Sequence, residues 1–230
     1  MLTLAEEFLL LALNDDTGRK SVDSTRMGAA LAGAAIVELT LDGALRLTEE
    51  GDPEHKPGRL VATGRQPADP RLADLVTVAD GRKPKDAVAK VIGFGSWRSR
   101  AKNLQDALLD DLAEAGYLTE AKGKILGLFP TTLWNPADPA VEAAIMKRVR
   151  AVVVDKARPD DRTAALISIV HAVDLLPKLF PDMDKRAVKN RGKAISESDW
   201  GGPAVRKAVQ EIQAVTIAII VSTSVATTTG

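Results

Sequence analysis

The amino-acid sequence predicts a mostly α-helical protein, a single-domain helical bundle over residues 1–230 with surrounding amphipathic helices and two short β-hairpins. Apolar residues recur every three to four positions over most of the chain after Pro70, which is the period of a helix. Two segments alone carry strand signals, and no linker rich in Pro, Gly or Ser separates two halves. Hydrophobic residues make up 45% of the chain, enough to bury a core.

Capping residues predict the first two helices. Thr3 and Glu6 have the spacing of a capping box, which predicts a short helix at the N-terminus. Asp23 or Ser24 can cap a second helix. Its apolar positions form a helical stripe, namely Met27, Ala30, Leu31, Ala34 and Val37.

The strand signals come next along the chain. Residues 39–47 alternate apolar and polar side chains around Asp42 and Gly43, which predicts a strand, a turn and a second strand. Residues 60–62 predict a short strand that returns to pair with the strand at Leu45.

Helical periodicity dominates the rest of the chain. The predicted helical segments are 71–78, 85–92, 100–115, 140–154, 161–176, 180–195 and 203–225. Gly116 is placed to end the third of them. After it, residues 117–119 and 125–129 flank a turn at 121–124, which predicts a second β-hairpin.

The composition excludes several classes of catalytic and metal site. There is no cysteine, hence no disulfide, thiolate zinc site or cysteine nucleophile, and only His55 and His171 are available as histidines. His171 and Asp174 are spaced as an acid–base dyad could be, but a hydrogen-bonded core histidine in an apolar helix fits this sequence better. No phosphate-binding glycine loop is present. We therefore expect no catalytic residue, no cofactor and no metal ion, and not an enzyme.

Charge is balanced overall but unevenly distributed. The formal net charge is zero, which argues against a polybasic nucleic-acid binder. Residues 1–80 carry a balance of −6, and residues 81–230 carry +6. Residues 82–102 hold seven basic side chains and one acid, Asp86. Such a stretch is either a solvated helix face or a surface for an anionic partner.

The hairpin predicted after Gly116 combines apolar side chains with lysines. Ile125, Leu126, Leu128 and Phe129 would enter the boundary of a membrane, while Lys122 and Lys124 meet anionic lipid. Nearby cations that could join them are Arg98, Arg100 and Lys102. The alternative is a hairpin whose apolar side packs on the helical core.

Neither a secretory signal nor a membrane span is evident. The N-terminus has acids where a signal peptide has bases. No stretch approaches the roughly 20 apolar residues that cross a bilayer. We expect a cytoplasmic protein that associates peripherally with a membrane.

Several blocks of the sequence, in order, resemble the Golgi phosphoprotein 3 family. The blocks are 2–13, 31–39, 41–45, 112–119, 125–133, 152–156 and, most strongly, 161–176. The short N-terminus and the frequent Ala, Arg and Asp look like a bacterial member. The resemblance implies a mostly helical domain that binds phosphatidylinositol 4-phosphate at Golgi membranes and helps to retain glycosyltransferases. It also implies membrane-enzyme clients, and a hairpin at residues 117–134 that inserts into membrane and supports homo-oligomers.

The family's headgroup positions fall on four residues of this sequence. A tryptophan and an arginine of the family correspond to Asp23 and Ala32, and its paired arginines correspond to Lys102 and Gln105. Of the four, Lys102 alone carries a positive charge. Because an arginine fork binds phosphate better than one ammonium group, we expect anionic-lipid binding with little headgroup preference.

Two other functions remain as alternatives, a winged-helix-like nucleic-acid-binding module and a protein-interaction module. A helix at 100–115 followed by a lysine-tipped hairpin is typical of a winged helix. That helix carries Asp106, Asp110, Asp111 and Glu114, which would face a polyanion and disfavour nucleic acid.

Overall fold

The computed structural model describes residues 1–14, 17–93, 100–125, 129–198, 200 and 203–226. Within these residues it contains ten α-helices, one 3₁₀ helix at Pro70–Leu72 and two antiparallel strand pairs. In chain order they are α1 (Leu4–Ala12), α2 (Ser24–Leu41), β1 (Leu45–Leu47), β2 (Leu60–Ala62), α3 (Ala73–Ala79), α4 (Pro84–Ile92), α5 (Arg100–Glu114), β3 (Leu118–Ile125), β4 (Phe129–Pro136), α6 (Pro139–Val153), α7 (Asp161–Ala172), α8 (Leu176–Leu179), α9 (Lys185–Glu197) and α10 (Pro203–Ala226). The prediction of a mostly α-helical fold is confirmed.

Helix α2 lies at the centre of the bundle. It begins at the predicted cap, because the side chain of Asp23 accepts a hydrogen bond from the backbone N–H of Arg26 at 2.9 Å. Most of its residues are buried, and α1, α4, α5, α7 and α10 pack around it. Its small side chains permit this close packing. A Cβ on Gly33 would lie only 3.0 Å from the side chain of Ile212 on α10.

Helix α1 is buried along its whole length, including two glutamates. Its predicted capping box is present: Thr3 accepts from the backbone of Glu6, and the Glu6 carboxylate accepts from the backbone of Thr3 at 2.7 Å. Glu6 also accepts from Arg71 at 2.7 Å. Glu7 accepts from Arg148 on α6 at 2.8 Å. Both buried carboxylates therefore have a cationic partner, as buried charges require.

Arg162 on α7 joins the helices around this buried cluster. Its guanidinium donates to Glu38 at the end of α2 at 2.8 Å, to Glu7 of α1 at 3.5 Å, and to the backbone oxygen of Leu2. Glu38 in turn accepts from the backbone N–H of Leu4 at 2.6 Å. Burial lowers the pKa of Arg162, but the carboxylates of Glu38 and Glu7 outweigh it and raise that pKa.

The prediction for residues 39–47 is partly wrong. The helix α2 continues to Leu41, so residues 39–41 are helical and not a strand. The remaining strand, β1, pairs antiparallel with β2, with Leu45 opposite Ala62, as predicted. Helix packing decides this boundary, because Leu39 is buried in the core on the face of α2.

The predicted helix at 161–176 ends earlier, at Ala172. Asp174 has a left-handed backbone, with φ of 59°, which no α-helix contains. Its carboxylate lies 2.9 Å from Lys189 of α9. His171 packs against α9, where a Cβ on Gly192 would come within 2.8 Å of the imidazole Nδ1. Burial lowers the pKa of His171, although the charge of Asp174 opposes it.

We expect Arg162→Ala to lower the free energy of unfolding by about 3 kcal/mol, because it removes the cation that pairs with the buried carboxylate of Glu38. Urea unfolding followed by circular dichroism measures the change. Arg158→Ala, which removes an exposed cation just before α7, serves as the control and should change stability by less than about 0.5 kcal/mol. Equal effects of the two variants would contradict the role given to Arg162.

We also expect the chain to unfold in one cooperative transition. Its buried apolar residues form one contiguous cluster that runs from Leu4 to Ile212. Two tryptophans in different places, Trp134 in β4 and Trp200 after α9, are both buried in that cluster. Tryptophan fluorescence and far-ultraviolet circular dichroism should therefore give coincident urea curves. Two separated transitions would show that the chain is not one domain.

Candidate functional site

The strands β3 and β4 form a hairpin that extends from the helical body. Their register pairs Leu118 with Pro136 at the base and Ile125 with Phe129 at the far end. Among the described side chains of the hairpin, Leu118 and Trp134 at the base are the buried ones. Helix α5 is the described element in extensive contact with this hairpin. Packing against the core therefore holds the base of the hairpin and not the rest of its described residues.

The predicted turn of this hairpin is wrong. Residues 121–124 are paired within β3 and do not form the turn, and the pairing of the two strands continues to Ile125 and Phe129. Gly123 permits the close pairing of β3 with β4 at this point, because a Cβ on it would lie 2.6 Å from the side chain of Leu133 on β4. Ile125 and Phe129 therefore pair at the far end of the described strands.

Gly18, in the loop between α1 and α2, anchors the base of the hairpin. Its carbonyl oxygen accepts a hydrogen bond from the backbone N–H of Trp134 at 2.9 Å. Gly18 has a φ of +62°, and a Cβ on it would lie 2.5 Å from Oδ1 of Asn135. Glycine is needed here both for the backbone conformation and for the close approach.

A recess of about 600 Å³ lies between this loop, α5 and the hairpin. Its polar lining includes residues from all three, namely Arg19, Lys20, Gln105, Asp106, Asp110, Glu120, Thr131 and Thr132, with Leu109 and Trp134 as apolar lining. On the other side of α5, Asp111 contacts Arg71, which also donates to Glu6 of α1. This contact ties α5 to the helical body.

The electrostatics of the recess are mixed. Desolvation lowers the pKa of Lys20, while the nearby charge of Asp106 opposes that change. Asp106 also forms an ion pair with Lys102, one helical turn earlier on α5, at 2.6 Å. Opposite charges therefore lie close together on this surface, and the recess is not a uniformly basic pocket.

The four headgroup positions of the family have different surroundings here. Asp23 caps α2 and pairs with Arg26. Ala32 is fully buried in the core. Lys102 is exposed and paired with Asp106, and Gln105 is buried and lines the recess. Of the four, Gln105 alone belongs to the lining of the recess.

The other predicted lipid-binding residues are only partly described. Lys122 lies in β3 and is exposed. The backbone positions of Arg100, Lys124, Ile125 and Phe129 are the start of α5, the end of β3 and the start of β4. Arg98, Leu126 and Leu128 lie outside the described residues, as do the side chains of the four positions just named.

The sequence prediction missed Arg19, Lys20, Glu120 and Trp134, which line the recess. The pair of cations directly after Gly18 was the available signal, but nothing in the sequence connects that loop with a strand more than 100 residues later. In the part of the chain that the structure describes, no group of three or more His, Cys, Asp or Glu side chains could hold a metal ion. No helix among the described residues is both long and apolar enough to cross a bilayer.

We expect Gly18→Ala to lower the free energy of unfolding by about 2 kcal/mol, because it adds a steric clash with Asn135 to left-handed backbone strain. The control is Gly81→Ala. Gly81 has a similar φ of +69°, but nothing lies within 4 Å of an added Cβ, so this variant reports the backbone strain alone. Urea unfolding followed by tryptophan fluorescence measures both. An equal loss in the two variants would contradict the proposed anchor.

Comparison with known proteins identifies the family of this chain. A relative from Eremothecium gossypii, vacuolar protein sorting-associated protein 74, is 27% identical over 211 residues, which cover 80% of this chain. The aligned region spans 62% of that protein's own length. The model of the Golgi phosphoprotein 3 (GPP34) family matches residues 4–212. The match covers most of the chain, which therefore belongs to the Golgi phosphoprotein 3 family.

Proposed function

We propose that this chain is a non-enzymatic protein that binds the anionic surface of a membrane peripherally, from the cytoplasmic side. The observation that carries the proposal is the hairpin of β3 and β4, which core packing holds only at its base among the described residues. Membership of the Golgi phosphoprotein 3 family supports it. A membrane boundary can cover apolar side chains that such an arm presents.

The chemistry of the arm fits a lipid surface. The eight residues of β3 span about 24 Å from Leu118 to Ile125, so the end of this strand is far from the base of the hairpin. The apolar residues at that point of the sequence are Ile125, Leu126, Leu128 and Phe129. Lys122 and Lys124 precede them along β3, where they would meet lipid phosphates while the apolar side chains enter the boundary.

Five cations contribute to the attraction in this proposal, namely Arg98, Arg100, Lys102, Lys122 and Lys124. Each basic residue near an anionic surface contributes about 1 kcal/mol, so the four besides Lys102, which pairs with Asp106, could hold the protein reversibly. Lys102 is the one positively charged residue among the four headgroup positions of the family. The proposal therefore includes weak discrimination between phosphatidylinositol 4-phosphate and other anionic lipids.

The partners that we propose follow from the family. The relative named above is called a vacuolar protein sorting-associated protein. We propose that this chain contacts membrane-enzyme clients, and that the hairpin at 117–134 supports a homo-oligomer. Nucleic acid fits less well, because Asp106 and Asp110 of α5 line the recess beside the hairpin, where a polyanion would meet them.

We expect the protein to co-sediment with phosphatidylglycerol vesicles and not with neutral phosphatidylcholine vesicles. Vesicles with phosphatidylinositol 4-phosphate at equal charge density should bind it about as well as phosphatidylglycerol. Binding should weaken as salt is raised, because the Debye length shortens. Failure to bind any anionic vesicle would refute the proposed function. A strong preference for phosphatidylinositol 4-phosphate would refute the weak discrimination.

We expect the double variant Leu128→Ser and Phe129→Ser to reduce vesicle binding at least about fivefold, because it removes apolar area that enters the boundary. The matched control is Ile217→Ser with Val221→Ser. These two apolar residues of α10 are 41% and 57% exposed, so their loss removes exposed apolar area elsewhere. Circular dichroism checks that both variants fold. Equal binding by both variants and the parent would show that the hairpin end does not insert.

A further inference from the structure

An open groove of about 340 Å³ lies between the start of α1 and one face of α6. Its apolar lining includes Leu2, just before α1, and Val141, Ala144 and Ile145 of α6. The three α6 positions share one helix face because they are spaced three and four residues apart. Ala144 is exposed and carries only a methyl group, which leaves room above this face. The groove shares no described lining residue with the recess beside the hairpin.

Glu7 of α1 lines this groove and has one unsatisfied oxygen. Its side chain is only 6% exposed, and its Oε1 atom accepts from Arg148 at 2.8 Å and from Arg162 at 3.5 Å. The other oxygen, Oε2, is shielded from solvent, and no described residue donates a hydrogen bond to it. A shielded carboxylate oxygen without a donor costs free energy, which an occupant with an N–H group can recover.

The charges beside the groove favour a neutral donor. The guanidinium of Arg148 lines the groove and is 37% exposed, although it also pairs with Glu7. A cationic occupant would be repelled by Arg148, and an anionic occupant would be repelled by the carboxylate of Glu7. An aromatic ring has a negative face, which attracts an exposed guanidinium. Tryptophan is the largest neutral side chain with an N–H donor, so it supplies both the ring and the hydrogen bond.

We propose that the groove binds a tryptophan side chain of a partner protein. The indole N–H donates to Oε2 of Glu7, the ring lies on the face of α6 at Ala144, and the guanidinium of Arg148 stacks on the ring. Leu2, which is partly buried in the same lining, moves aside to admit the N–H. Because the groove is open, it covers one side of an indole, and the partner chain covers the other side.

A blocked pentapeptide, Gly-Ser-Trp-Ser-Gly, tests this chemistry by nuclear magnetic resonance titration of the protein. It should shift the methyl signals of Leu2, Val141 and Ile145. The same peptide with 1-methyltryptophan has almost the same shape but no indole N–H, so it should bind about fivefold more weakly. Absence of a shift with the tryptophan peptide, or equal affinity for the two peptides, would overturn the proposal.

Two neighbouring alanines of α6 provide a matched pair of variants. Ala144→Leu fills the groove and should weaken binding of the tryptophan peptide at least about tenfold, because the added side chain occupies the place of the ring. Ala143 is also exposed but does not line the groove, so Ala143→Leu should leave the affinity unchanged. Leucine and alanine are both good helix formers, and circular dichroism checks the fold. Unchanged affinity in a folded Ala144→Leu variant would contradict the assignment.

Two other occupants are outcomes of these measurements. Free indole should bind more weakly than the peptide, because it has no chain to cover the open side; equal affinity would assign the groove to a small aromatic molecule and overturn the partner protein. The described tryptophans of this chain, Trp134 and Trp200, are 9% and 3% exposed, so a second copy cannot offer them. Sedimentation equilibrium should therefore give the same mass for the parent and for Ala144→Leu. A parent dimer that only this variant loses would make a second copy the occupant and overturn the proposal.

Discussion

The arrangement of the helices depends on one partly buried guanidinium, that of Arg162. It reaches Glu38 on α2, Glu7 on α1 and the backbone oxygen of Leu2. Because removing one partner of a buried ion pair leaves an uncompensated charge, a helix register that separates Arg162 from Glu38 is disfavoured. Arg148 extends the same cluster to α6. Apolar burial stabilises the bundle, and this cluster selects how its helices are aligned.

The site is connected to that bundle through two further contacts. Arg71 joins Asp111 of α5 to Glu6 of α1, which fixes the helix that forms one wall of the recess. Gly18 joins the loop after α1 to Trp134 at the base of the hairpin. The recess and the hairpin therefore share a wall, so a ligand bound in the recess lies against the hairpin base.

A phosphoinositide pocket stays a prediction for this chain. Two of the positions predicted for it serve other purposes, because Asp23 caps a helix and Ala32 lies in the core. The recess that remains includes Gln105 and has charges of both signs. The bacterial origin that composition suggests stays a prediction.

Local features of the sequence were sufficient to predict most of the helices and the pairing of β1 with β2. The Thr3 capping box and the Asp23 cap are interactions within three residues, so their geometry follows from spacing. Tertiary structure decided where α2 and α7 end, because packing there overrides local propensity. It alone assembled the recess, since Lys20, Gln105 and Glu120 come from three elements with no shared pattern in the sequence. A contact between residues so far apart depends on how the helices pack, and no local period encodes it.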